Sequence, residues 1–514
     1  MVPAWLRMLM PSMADLIFMG LLCVLVFTPL SVRLLGDAGI GWHIRAGQQI
    51  LATHSIPRTD SFSSTMSGKA WFAWEWLYDV KVGWLEHALG LNGVVWFTAV
   101  VIGTVFALTF RLLILRQSDV LVAFILVLLA MSASMVHFLA RPHVLSWLFT
   151  LIWFWLLDSS ERACFDEHHD RGTRQLWLLP PLMLVWANAH GGFLVGFALL
   201  GFFFVGAVWN WFGAKQDRLE DSLRKIAAGK QARNLALVGL LSATASLMNP
   251  YRWHLHEHIY SYLTNRFLMD HIDEFQSPNF HGVAQRCFLG LLLFCVAVLL
   301  TRRRAFGVSE GLTVLFAIYA GLYASRNIPV SSILLVMIVA PVTPGVPVAR
   351  SFLRRMGAVE YQMRGHLWPI LAAAVTFGIA ANGGRLGANS VMDAHFDARR
   401  MPVAAVNDLE KHQWTSAVLS PDYWGGYLIY RLHPAMQVVV DDRHDLYGDE
   451  FLKSYLKMMH VERGWDEFLR SQKVSCVLLP RDAALANVLV ESHEWRSIYA
   501  DDVAIVFVRA PGNP

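Results

Sequence analysis

The stretch LLGDAGIGWH, residues 34–43, follows the first long apolar run and breaks it with a carboxylate, Asp37, and an imidazole, His43. Charge at the end of such a run marks where a membrane helix surfaces, because the hydrocarbon interior disfavours it. Working outward from this point, apolar runs occupy 13–33, 93–113, 119–137, 143–158, 175–189, 192–212, 234–250, 286–301, 308–324, 328–345 and 367–385. Since roughly 20 apolar residues cross about 30 Å of hydrocarbon, these runs predict about eleven transmembrane helices.

Composition agrees with a polytopic α-helical membrane protein. Of 514 residues, 55% are hydrophobic and only 16% charged, and the mean hydropathy is +0.42. A soluble globular chain carries about a quarter charged residues. The net charge of +4 is concentrated in a few loops, so it reports orientation and points to no nucleic-acid partner. Five scattered cysteines give no disulfide framework. The apolar run Ile17–Leu30 reads as a retained first span, with no small-residue cleavage site after it.

Lys and Arg collect in alternate loops: Arg111 and Arg116; Arg162, Arg171 and Arg174; Lys215, Arg218, Arg224, Lys225, Lys230 and Arg233; Arg302, Arg303 and Arg304; Arg350, Arg354, Arg355 and Arg364. The positive-inside rule makes these loops and the N-terminus cytoplasmic, and the C-terminus external. Segments 34–92, 138–142, 189–191, 251–285, 325–327 and 386–514 then share the outer face. In the first of these, Trp71, Trp74 and Trp76 suit a helix lying at headgroup level. The 251–285 loop begins with a helix stop at Asn249-Pro250 and continues into WHLHEHIYSY, a second interfacial helix. From about Asp393 the composition is that of a soluble domain. Helical segments 402–412, 449–459, 463–472 and 482–492 alternate with β-branched runs at 438–440, 474–479 and 504–508, which predicts a small α/β domain over 391–514 beside a membrane domain over 1–390.

This threading gathers Asp37, His43, Arg141, His143, Asn188, His190, Glu274 and Arg326 at one surface. Asp37 suits a general base or a cation ligand; alternatively it is a solvated helix end. Arg141, His143, His190, Arg326 and Asn327 stand where a lipid phosphate lies, and the planar guanidinium can bind two phosphate oxygens; alternatively the arginines snorkel to the interface. Asn188 and His190 either join that set or cap the chain reversal at Gly191-Gly192. Glu274 is a second candidate acid or a solvated one. His254, His256 and His258 lack the HExxH order and read as an interfacial cluster. Asp441, Asp442, Arg443, His444 and Asp445 either bind a cation or sugar hydroxyls, or form ion pairs with Arg431 and Arg443.

The acid after the first span, Trp42-His43, IPRTDSFS at 56–63, and the GKAW and EWL pieces at 68–77 resemble bacterial integral-membrane sugar transferases of the GT-C superfamily. So do RPH at 141–143, WANAHGG at 186–192, NPY at 249–251, IDEFQSPNF at 272–280, SRNIP at 325–329, and DYWGGYLIYRL and VDDRHDLYG in the C-terminal domain. The string DYWGGY, with Asp422, Tyr423 and Trp424, is also partly similar to the WWDYG signature of oligosaccharyltransferase catalytic subunits, with Ser420-Pro421 in place of the leading tryptophans. The resemblance implies a GT-C-like fold and a polyprenyl-phosphate-linked sugar donor. It also implies a glycan, lipid or protein acceptor, an essential acid at Asp37, and residence in the bacterial inner membrane with the C-terminal domain in the periplasm. If a divalent cation, Mg or Mn, takes part, Asp37 and Glu274 are its ligands, although Gly36-Asp37-Ala38 lacks the paired acids of many relatives.

Two other classes compete. A transporter or flippase of lipid-linked glycans requires ionisable residues near the bilayer midplane, and these spans carry almost none. A non-catalytic membrane protein of an envelope complex would use the outer domain to bind a partner.

Overall fold

The computed structural model describes residues 4–164, 174–214, 219–301, 304–344, 350–363 and 366–510. Arg171, Lys215, Arg218, Arg302, Arg303 and Arg364 of the basic groups lie outside these described residues. The chain is mostly helical, and each of the apolar runs falls on a helix. Among the described residues, five helices are long and apolar enough to cross a membrane: Leu91–Leu115, Val120–His137, Gly191–Gly213, Val283–Thr301 and Ser325–Val342. Met13–Phe27, Leu176–Ala189, Val308–Tyr323 and Leu367–Ala381 are shorter and equally apolar in character. The other two, His143–Ala163 and Leu219–Ser246, carry charge at one end, such as Asp158, Glu161 and Arg162.

Local chemistry sets the helix ends. Ser12 and Asp15 cap the Met13–Phe27 helix reciprocally, and Asp119 accepts from the Leu121 and Val122 amides. The first predicted span is interrupted at Thr28-Pro29, where proline has no amide to continue the ladder; a short helix, Leu30–Leu34, resumes after it. The Ile328–Val342 helix is buried along almost its whole length and forms the centre of the bundle. At the helix ends carrying Arg116, Asp158 and Glu310, a buried ion network ties three helices together: Arg116 is 2.8 Å from Asp158 and 3.6 Å from Glu310.

The long first loop folds into two helices, Ile40–Thr53 and Trp76–Leu89, that pack tightly together. A Cβ at Gly47 would stand 1.8 Å from the Asp79 carbonyl oxygen, and one at Gly83 would stand 2.7 Å from the Gln48 nitrogen. This close approach sets His43, one turn before Gly47, against Asp79, one turn before Gly83. The headgroup helix expected around Trp71 is absent: residues 71–73 have no regular structure, and the helix starts only at Trp76. Trp71 is buried beneath the Arg443 guanidinium, 4.7 Å away, and against Trp42 and Phe62. Packing, and not the membrane interface, claims that side chain.

In the C-terminal part, strands Val418–Leu419, Cys476–Pro480, Ala504–Arg509 and Trp495–Ala500 form one mixed sheet in that spatial order. Helices Val403–Lys411, Asp449–Met459, Asp466–Ser471 and Ala484–Glu491 occupy the expected segments. The expected strand at 438–440 shrinks to a single bridging residue. Val438 pairs with Val418 on one side and with Ser63 of the first loop on the other. Residues 62–64 therefore extend the edge of the C-terminal sheet, with Val438 N–H donating to the Phe62 carbonyl and Ser64 N–H to that of Val438. The segment then turns away so that Asp441 can pack on Gly425, where an added Cβ would lie 2.5 Å from the Asp441 Cα.

Candidate active site

Helix Asp422–Leu432 crosses helix Ile40–Thr53 almost backbone to backbone. A Cβ on Gly41 would sit 2.1 Å from the Gly426 carbonyl oxygen, and one on Gly426 would sit 2.3 Å from that of Ala38. The two glycines of DYWGGY thus bring the C-terminal domain onto the first loop. Asp442 then reaches Arg141, which lies just before the His143–Ala163 helix. Arg141 joins two acids: its Nη1 is 3.1 Å from Asp442 Oδ2, and its Nε is 3.3 Å from Asp37 Oδ2. The other Asp37 oxygen accepts from the Gly39 amide at 2.8 Å. A Cβ at Gly39 would fall 1.9 Å from Arg141 Nη1 and 2.3 Å from Asp442 Oδ2, so any larger residue there must displace these two side-chain ends. Burial pushes the Asp442 carboxyl up to about 6 against the pull of Arg141.

Next to this triad lies a second set. His43 Nδ1 is 2.6 Å from Asp79 Oδ1. Burial drives His43 down and Asp79 up, so the pair sheds its net charge, one proton lying between the two atoms and the other on Nε2. That Nε2 faces Glu75 Oε2 at 3.9 Å. On the other side, His190 Nε2 is 3.6 Å from Glu75 Oε1. The Gly192 amide and the Ser146 hydroxyl both donate to His190 Nδ1, which leaves the proton of the neutral ring on Nε2, again facing Glu75. Burial raises the Glu75 carboxyl to about 8, against the pull of Arg141 and Arg326 and with help from Asp445 and Glu274.

Glu274 and Arg326 close the ring, 3.9 Å apart, with Arg326 over the Phe275 face at 4.4 Å. Burial would raise Glu274, but Arg326 and Arg141 together hold it down at about 2. The 325–327 turn is tied to its neighbours: the Ser325 amide donates to the Gln276 carbonyl, and His137 Nε2 is 3.0 Å from the Ser325 carbonyl. A further pair, His258 and Asp445 at 2.9 Å, links the 253–264 helix to the C-terminal domain, with His258 stacked on Phe72.

Several of the sequence-derived candidates have other employment. Asn188 accepts from Trp76 Nε1 and donates to the Leu184 and Met248 carbonyls, so it fastens three segments. His143 Nε2 lies 2.9 Å from the His137 carbonyl, and Asn327 donates to the Ala320 carbonyl. Asp441 and Arg443 are fully buried; Arg443 also pairs with Asp60 of the first loop at 2.8 Å. They form an ion pair between loop and domain, and Arg431 pairs instead with Glu410. Asp422 pairs with His444 at 2.6 Å, Trp424 is buried with its Nε1 donating to the Arg400 carbonyl, and Tyr423 is exposed. Sequence reading passes over Glu75 and Asp79. Their only signal is an acid between two tryptophans, and a second acid one turn later, in a stretch that reads as an interfacial belt.

Asp37 and Glu274 do not suit a shared Mg or Mn ion. Each carboxylate already faces an arginine, which takes the position and the charge a cation would supply. Among the described residues, no three His, Cys, Asp or Glu side chains converge as a metal site.

No protein-family model matches the chain, and no curated protein does. Solved structures do. The archaeal oligosaccharyltransferase AglB from Archaeoglobus fulgidus, in complex with an inhibitory peptide and a dolichol-phosphate, superposes with a TM-score of 0.54 at 12% identity, covering 97% of this chain and 74% of AglB. ArnT from Cupriavidus metallidurans, bound to undecaprenyl phosphate, superposes with a TM-score of 0.51 at 14% identity, covering 96% of this chain and 98% of ArnT. At such identities the likeness is one of fold, and the fold is GT-C-like.

Proposed function

We propose that this protein is a GT-C-type glycosyltransferase that moves a sugar from a polyprenyl-phosphate-linked donor to an acceptor on the periplasmic side of a bacterial inner membrane. In this reading all eleven apolar helices span the bilayer, the N-terminus is cytoplasmic, and residues 391–514 form a periplasmic domain. The observation that carries it is the ring of Asp37, Arg141, Asp442, Glu75, His190, Glu274 and Arg326 at one set of helix ends, on a fold whose solved neighbours hold dolichol-phosphate and undecaprenyl phosphate.

The chemistry needs a base, a cationic phosphate site and a cover. The acceptor hydroxyl attacks the anomeric carbon, the carbon–oxygen bond to phosphate breaks, and its electron pair leaves on the phosphate oxygen. Arg326 stabilises that charge. Arg141 is occupied by two acids, so its task is to hold Asp37 in place and to join Asp442 to the site. Asp37 takes the acceptor proton. The exposed Tyr423 and the 422–445 region face the acceptor side.

Scarcity of charge within the spans argues against a conduit. The test is transfer from undecaprenyl-phosphate-linked sugars by purified protein. Asp37→Asn is expected to insert and fold normally while transfer falls by at least about a hundredfold, the scale of losing a general base. Full transfer by that variant removes Asp37 from the mechanism.

A further inference from the structure

Among the described residues, Glu75 is the one acid of the ring without a hydrogen bond or an arginine partner within ion-pair distance, although it is only 9% exposed. Its two carboxyl oxygens face two imidazole Nε2 atoms, at 3.6 and 3.9 Å, each beyond hydrogen-bond length. Both imidazoles are locked from behind: His43 by Asp79, and His190 by Ser146 and the Gly192 amide. Ser146 is itself fixed by Trp186, whose Nε1 donates to it at 2.7 Å. Such support is elaborate for a side chain that makes no hydrogen bond of its own among the described residues.

From this geometry we infer that Glu75 is the proton donor to the departing lipid phosphate, and that His43 and His190 are positioning residues for its conjugate base. The inference rests on the glycosyltransferase reading above. As the anomeric carbon–oxygen bond breaks, the phosphate oxygen that keeps the electron pair takes the Glu75 proton. The new carboxylate then draws the two Nε2–H groups in from 3.6 and 3.9 Å to hydrogen-bond length. The acceptor proton goes to Asp37, and exchange of one proton with water at each acid restores the start. Net, the acceptor hydroxyl loses one proton and the lipid phosphate gains one.

The surroundings support an acid that is neutral at rest. Burial outweighs the attraction of Arg141 and Arg326, and Asp445 and Glu274 add repulsion, which holds the group protonated to about pH 8. Among the groups facing it, Asp79 is tied up with His43, and Tyr78 is buried beside them.

Undecaprenyl phosphate itself is the probe, because a proton donor in contact with the product phosphate makes binding depend on its own protonation. The affinity of the full-length protein is measured by titration calorimetry between about pH 7 and pH 9, above the phosphate's own ionisation near about 6. The wild type is expected to bind roughly tenfold more weakly at the upper end, and to take up about one proton per lipid there, read from two buffers of different ionisation enthalpy. Glu75→Gln, which keeps a neutral donor, is expected to bind with a flat profile and no uptake. Zero proton uptake by the wild type, or an identical pH profile in Glu75→Gln, overturns the role of Glu75 and leaves the glycosyltransferase reading intact. Absence of binding by the folded wild type at every pH overturns that reading, and with it this inference.

Discussion

At the scale of single residues, the site contrasts acids that have been given arginines with one that has not. Asp37 and Asp442 share Arg141, whereas Glu75 is held neutral by burial. The contrast has a thermodynamic sign. The folded-state value of Glu75, about 8, lies above the ordinary 4.5. Its contribution is therefore fully present below about pH 4.5 and is lost as pH rises through about 8. Thermal unfolding in detergent is expected to show lower stability at pH 9 than at pH 7, and Glu75→Gln to flatten that slope; an unchanged slope assigns the loss to another group. Arg141→Ala leaves two partly buried carboxylates facing each other and is expected to cost about 1–3 kcal/mol, less than a fully buried pair because all three groups keep some exposure. A Tm indistinguishable from wild type contradicts that. The sequence marks Arg141, Asp37 and Arg326 because charge at span ends is conspicuous. It hides Glu75 because an acid among tryptophans reads as membrane-surface decoration, and only the packing of two loop helices shows what surrounds it.

At the scale of elements, three close backbone contacts at two helix crossings depend on glycine: Gly47 on Asp79, Gly83 on Gln48, and Gly426 on Ala38. The first two align His43 with Asp79, and the third brings Asp442 to Arg141. Gly426→Ala must push the helices apart and is expected to destabilise by about 1–3 kcal/mol, and to lower transfer because Asp442 leaves Arg141, the residue that holds Asp37. Wild-type stability and transfer in that variant would mean that the crossing tolerates a methyl group. Helix positions are legible in advance from apolar runs bounded by charge. The sheet is less so: Val438–Val440 looks like a strand by composition, yet only Val438 pairs, because its neighbour across the ladder is a loop some 375 residues earlier in the chain. Periodicity carries no information about such a partner.

At the scale of the whole molecule, the first loop and the C-terminal part are joined into one unit by the Ser63–Val438 bridge, the Asp60–Arg443–Asp441 ion pairs and the glycine crossing. The loop contributes His43, Glu75 and Asp79, the C-terminal part contributes Asp442 and Asp445, and the turns at the ends of the apolar helices present Arg141, His190 and Arg326. Membrane-impermeant thiol labelling of intact cells is expected to reach a cysteine at Glu450, in the domain, and to miss one at Arg354 until the membrane is opened; the reverse pattern inverts the topology. The account as a whole is tested most directly by an experimental structure determined with undecaprenyl phosphate. It predicts the phosphate in contact with Arg326 and within hydrogen-bond reach of Glu75, on the same side as Asp37. A phosphate bound at the Arg116–Asp158–Glu310 end of the bundle, or one remote from Arg326 and Glu75, contradicts it.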